Sequence, residues 1–315
     1  MTIVVAGYNF EKNFWREFDS NDERDGVQQE GLFAIADSII TSHSSNGYVP
    51  LLSGFEKIID IPIKLWQPSF IDRSFQGYNS IYVQLNCFVA FAGSTLVSQH
   101  VINLIANHLA NLRIDFRRKN HQSAPEYLVK MPCDQNTLIT NGSSSFYGED
   151  MFIPNLHYQG ILTGKYICEV VERSITTSLK SARKHRLNEV ALREMYSEFI
   201  LGVACPVSRQ EHLVKFTMEK KLNDEGVYEV FAKGVRVREG EVAVIGMSNR
   251  FGGAAQEAAR DAIKAGESLK KRMEAFVFQA IKTIKEEGSF QIAMPMVSKE
   301  LKHNRVSKAV WREET

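Results

Sequence analysis

The chain has 315 residues, long for one average domain and short for three. Its 44% hydrophobic content supplies a sizeable core, and 38 basic against 37 acidic residues leave a formal charge of +1, which removes the easiest electrostatic case for a nucleic-acid or membrane-surface partner. No apolar run approaches the roughly 18 to 20 residues that span a bilayer. The start, Met1-Thr2-Ile3-Val4-Val5-Ala6-Gly7, lacks the basic residues and long apolar stretch of a secretory signal, so a cytoplasmic protein is expected. Cys87, Cys133, Cys168 and Cys205 are scattered, without a CxxC pair or histidines at zinc-ligand spacing; they read as buried thiols, and neither metal nor cofactor is expected.

In chain order, Ile3 to Ala6 is a short β-branched run that suits a buried strand. Residues 11–30 are polar and turn-rich, and residues 31–41 form a second strand candidate interrupted by Asp37. Residues 42–54 read as loop, 58–65 as an apolar segment broken at Pro62, and 81–92 as a further strand. After Gly93-Ser94-Thr95, apolar residues from Leu96 to Leu109 recur at helical spacing. Residues 117–164 show no clean period, so either short elements or a mobile loop is expected there. Residues 165–198 read as helical. Strands are expected near 198–204, 212–220, 226–233 and 241–245, then helices from about Ala254 and from Glu267 to Lys285, and a closing strand at 291–297.

Both halves share one device: an apolar strand ends in glycine and a small polar residue, and a helix follows. The two instances are Phe91-Ala92-Gly93-Ser94 and Val244-Ile245-Gly246-Met247-Ser248. Glycine permits a sharp turn, and a helix start offers unpaired N–H donors. Alone, this is a common connector.

The order Thr2, Ala36-Asp37-Ser38, Lys57-Ile58, Ala92-Gly93-Ser94 and Ile245-Gly246-Met247-Ser248, followed by the Ala-rich Gly253 to Arg260, resembles the proteasome β subunits and their bacterial relatives, the HslV peptidase and the Anbu proteins. The resemblance runs through nearly the whole chain in element order, on short motifs. It implies one domain over residues 1–315 with the N-terminal-nucleophile hydrolase fold: α+β, a four-layer αββα sandwich of two antiparallel sheets, with insertions near 11–30, 62–80 and 117–164. It departs from the family pattern in the long spacing from Thr2 to Asp37, and in Gly246-Met247-Ser248-Asn249 where G-S-G-G is usual. A late Asp and Ser pair is also missing, Ser298 being a faint candidate for part of it.

A threonine hydroxyl needs a base within hydrogen-bond reach, and a free α-amine, with an ordinary pKa of about 7.7 to 8.0, is suited to that task near neutrality. If Met1 is removed, Thr2 carries both groups. By resemblance, Lys57 stands beside it, Asp37 orients Lys57, the Gly93 N–H is the oxyanion donor, and Ser248 orients the amine or a water. Each has a plain alternative: Thr2 as a second residue, Asp37 as a turn cap, Lys57 as a surface lysine, the glycines as turn formers. The implied function is a threonine-type peptidase or amidohydrolase acting on a peptide or protein, self-assembled as a homo-oligomer, with a ring as one form. Any ATPase partner is a separate chain, because no GxxxxGK loop is present.

The competing reading is a catalytically inactive subunit of the same fold with an assembly or binding role. A nucleic-acid-binding protein has only two basic clusters behind it, Arg113 to Lys119 at the end of the first expected helix and Lys180 to Arg186 inside the next, and both read as solvated faces. The aromatics Phe14, Trp15, Phe18 and Trp66 fall in or near the expected insertions.

Overall fold

A computed structural model of the chain describes residues 2–12, 27–44, 47–119 and 123–313. It is a mixed α+β structure with two large sheets. Strands β1 (Ile3–Lys12), β2 (Val27–Asp37), β12 (Val242–Gly246), β13 (Met296–Lys302), β14 (Arg305–Val306) and β15 (Val310–Arg312) form the first. Its order is β12-β1-β2-β13-β14, with β15 also on β13, and every pair is antiparallel. The second contains β5 (Ile58–Ile71), β6 (Ser74–Gly93), β7 (Leu112–Arg117), β8 (Glu126–Lys130), β9 (Ser197–Ala204), β10 (Glu211–Leu222) and β11 (Tyr228–Arg236). Its order is β11-β10-β9-β6-β5-β7-β8, antiparallel except for the short β5–β7 contact.

The continuous apolar runs follow from burial on both faces of a strand. In β1, Val4, Ala6 and Tyr8 join Phe88, Ala90 and Ile200 of the second sheet in one buried cluster. Ile3 and Val5 face the other way, into a cluster with α6 (Ser248–Lys264) and α7 (Leu269–Glu286). Likewise Val89, Phe91 and Leu201 of the second sheet pack with α1 (Thr95–Ala110) and α4 (Gly164–Leu179). Period-two alternation thus sorts apolar side chains into a core between the sheets and a core under each helix pair.

Several elements differ from the sequence expectation. Residues 42–54 include a hairpin of β3 (Ile40–Ser44) and β4 (Gly47–Leu52) rather than loop alone. Pro62 does not break β5. It lies opposite Asn86 of β6, where β5's other edge is not yet paired, since β7 joins only at Leu65, and an edge tolerates a residue without an N–H. Residues 62–80 are the arms of a long β5–β6 hairpin closed by Asp72 and Arg73, with φ of 47° and 66°, the conformation that a two-residue hairpin turn requires. Part of 117–164 is ordered as β8, α2 (Thr137–Asn141) and α3 (Pro154–His157). An aromatic cluster holds it to the hairpin, with Phe70 stacked on Phe152 at 4.6 Å between ring centres.

The helical stretch 165–198 ends early. A 3-10 segment runs from Lys180 to His185, Arg186 turns left-handed, and α5 (Glu189–Met195) follows. Helix α6 begins at Ser248, not near Ala254, and the last long strand is Met296–Lys302 instead of 291–297. The first basic cluster begins on β7, not at the end of α1: Arg113 lies over the Tyr78 ring, and Arg117 pairs with Glu126. Arg183 of the second pairs with Glu229. The four cysteines are unpaired, but Cys133 is exposed and Cys168 only partly covered. Trp66 donates to the Ala110 carbonyl at 2.8 Å, whereas Phe14, Trp15 and Phe18 lie outside the described residues. No helix among the described residues is long and apolar enough to cross a membrane.

Candidate active site

Thr2 immediately precedes β1 and is held by its backbone. The Met247 N–H donates to the Thr2 carbonyl at 3.0 Å, and Ile3 pairs with Gly246. Gly246 has a φ of 81°, and a β-carbon there would stand 1.9 Å from the Thr2 oxygen. Only glycine lets the end of β12 lie this close to the start of β1.

Asp37 ends β2, beside β1. Its Oδ1 accepts from the Ile3 N–H at 2.9 Å, and Oδ2 accepts from the Ile39 N–H at 3.3 Å. Lys57 belongs to the other sheet: it precedes β5, and its carbonyl accepts from the Phe91 N–H at 3.1 Å. Its ammonium reaches across to Asp37 Oδ2 at 2.8 Å and to Thr2 Oγ1 at 2.9 Å. Lys57 is 3% exposed and Asp37 fully buried. Withdrawing both charges from water costs several kcal/mol per ion, and the cost is met only when the pair is well aligned and its remaining polar atoms find partners. Here the backbone amides and the threonine hydroxyl are those partners.

Lys57 donates to Thr2 and cannot take its proton while it remains an ammonium. What the geometry supplies is a positive charge 2.9 Å from the threonine oxygen, suited to negative charge developing there.

Gly93 closes β6 at the same end of the molecule. Ser94 N donates to Tyr196 O at 3.0 Å, so the pair Gly93–Ser197 is the one that exchanges no hydrogen bonds. The Gly93 N–H is therefore directed away from β9 and toward the Lys57 side of the strand. Gly93 has a φ of 111°, and a β-carbon would meet the Tyr196 carbonyl at 2.3 Å.

Among the described residues, no hydrogen bond joins Ser248 to Thr2, Asp37 or Lys57. Ser248 opens α6 half-buried, and the contact with Thr2 is made by the backbone of Met247. Ser298 faces the helices instead, donating to Glu274 Oε1 at 3.0 Å. Met1 lies outside the described residues. Among those residues, no group of three or more His, Cys, Asp or Glu side chains could hold a metal ion.

Two charged residues absent from the sequence expectation also reach this end of the sheets. Glu198 of β9 accepts from the Gly246 N–H at 2.8 Å and pairs with Lys215 of β10 at 3.2 Å. An acidic residue in an otherwise apolar strand, Ser197-Glu198-Phe199-Ile200-Leu201, was the available signal. No family model matches the chain, and no curated protein matches it.

Proposed function

We propose that the chain has the four-layer αββα sandwich of the N-terminal-nucleophile hydrolases and is a threonine-type peptidase or amidohydrolase. The observation that carries this reading is the buried Lys57 ammonium, bonded at once to Thr2 Oγ1 and to Asp37. It unites three residues that the sequence spreads over 55 positions. The two buried sheets with helices packed on each support the architecture.

In the proposed reaction Met1 is absent and the Thr2 amine is free. The amine takes the hydroxyl proton as Thr2 Oγ1 attacks a substrate carbonyl, while Lys57 stabilises the oxygen through the attack. The Gly93 N–H faces the carbonyl oxygen as it becomes an oxyanion. A well-aimed donor of this kind contributes about 3 kcal/mol. The ammonium on Thr2 returns the proton to the leaving amine as the C–N bond breaks, and water then releases the acyl group from Oγ1 by the same steps. Assembly as a ring of identical chains belongs to the same proposal.

The test is hydrolysis of a panel of fluorogenic peptides by the protein as expressed. Turnover is expected, with loss of at least a hundredfold in Thr2→Ala and partial retention in Thr2→Ser; equal turnover by wild type and Thr2→Ala contradicts the reading. A silent assembly subunit is the second reading. It is favoured by the place of Met247, a buried apolar residue whose backbone, and not Ser248, meets Thr2 at the turn. It expects no turnover and no labelling of Thr2.

A further inference from the structure

We infer that Glu198 is a positioning residue for Thr2. The inference rests on the proposed role of Thr2 and begins at an edge. Strand β12 is the outermost strand of its sheet. Because Met247 N donates to Thr2 O, the pair Ile3–Gly246 exchanges no hydrogen bonds, and the Gly246 N–H points away from β1. Among the described residues no strand lies on that side to accept it. Glu198, from the opposite sheet and 7% exposed, does so through Oε2 at 2.8 Å.

Three contacts make this consequential for Thr2. Gly246 Cα stands so close to the Thr2 carbonyl that a β-carbon would be 1.9 Å from it, and only 3.1 Å from the Ala92 side chain. Glu198 pairs in register with Ala92, the residue before Gly93. Its other oxygen meets Lys215 Nζ at 3.2 Å, and that ammonium donates to the Val244 carbonyl at 2.9 Å. One carboxylate thus joins the turn that clamps the threonine backbone to the strand that carries Gly93. A misplacement of about 1 Å between a nucleophile and its oxyanion donor costs on the order of a hundredfold in rate.

The experiment compares wild type, Glu198→Ala and Glu198→Gln. Alanine removes the acceptor from Gly246, whereas glutamine keeps an oxygen for it and loses the charge. Peptide hydrolysis is resolved into kcat and KM, Thr2 acylation by a β-lactone is timed, and amide exchange is followed over 242–248. For Glu198→Ala the expected results are a ten- to hundredfold fall in kcat with KM within twofold, a matching fall in acylation rate, and faster exchange at Gly246 and Met247. Glu198→Gln is expected to recover most of the kcat lost in the alanine variant.

Unchanged exchange in Glu198→Ala overturns the inference, as does a loss of turnover that only follows the unfolded fraction measured by urea titration. A wild type that neither cleaves nor is acylated overturns the proposed function, and the exchange result alone then judges whether Glu198 holds the turn.

Discussion

At Lys57 and Asp37 the energetics and the chemistry are the same contact. Each charge is buried and each is the other's principal partner, so removing one leaves the other stranded. Lys57→Ala and Asp37→Ala are each expected to lower stability by about 3–5 kcal/mol. The double variant Asp37→Ala/Lys57→Ala is expected to cost less than the sum of the single losses, with a coupling of about 1–3 kcal/mol. Urea unfolding of the four proteins reads this directly, and additive losses would contradict the buried pair. Gly246→Ala is expected to lower stability by about 1–3 kcal/mol, because the residue sits at positive φ and its new methyl meets the Thr2 carbonyl. In peptide assays it should also lower kcat.

Thr2, Asp37 and Lys57 were legible in the sequence because each falls at the start or end of an apolar run, in a recognisable order. Glu198 was not. Its role exists only because two sheets face each other, which no local pattern records. At the second glycine turn the motif was visible, but that the Met247 backbone is what meets Thr2 depends on the register of β1 with β12.

At the scale of elements, long strands and helices with buried faces were readable, and their ends were less so. Gly252 and Gly253 suggested a break before Ala254, yet α6 runs through both. Ala255, Ala259 and Ala262 are buried against the first sheet, and this tertiary contact holds a helix that propensity alone would start later. A β-carbon at Gly253 would meet nothing within 4 Å. Gly253→Ala is therefore expected to stabilise the protein by about 0.5–1 kcal/mol, seen as a higher urea midpoint; a lower midpoint would place something against that face. The turn at Asp72 and Arg73 was missed because neither is glycine or asparagine, the usual signals of positive φ.

For the whole molecule, acid sensitivity is built into the helix layer on the second sheet. His108 of α1 lies 2.8 Å from Ser174 of α4, and burial, with Arg173 nearby and Asp134 opposing, holds its pKa below the ordinary value. His212 is lowered likewise by burial and by Arg236. The unfolded chain takes up these protons near the ordinary pKa of about 6.5, whereas the folded chain does so only at lower pH. Stability is thus full above that value and declines as pH falls through it toward the lowered values. Urea midpoints should drop between about pH 7.5 and 5.5, and His108→Gln should flatten part of the drop. A midpoint that holds or rises toward acid would contradict this.

The two sheets are tied at one end by the Lys57–Asp37 pair, by Glu198 accepting from the Gly246 N–H and by Lys215 donating to the Val244 carbonyl, and the proposed chemistry needs that end to carry a free amine. The most direct test is the N-terminal sequence and intact mass of the natively expressed protein after exposure to a β-lactone. A chain beginning at Thr2, with one acyl group on that residue and none in Thr2→Ala, is the expected result. A chain that keeps Met1 and takes up no acyl group at Thr2 would contradict the hydrolase.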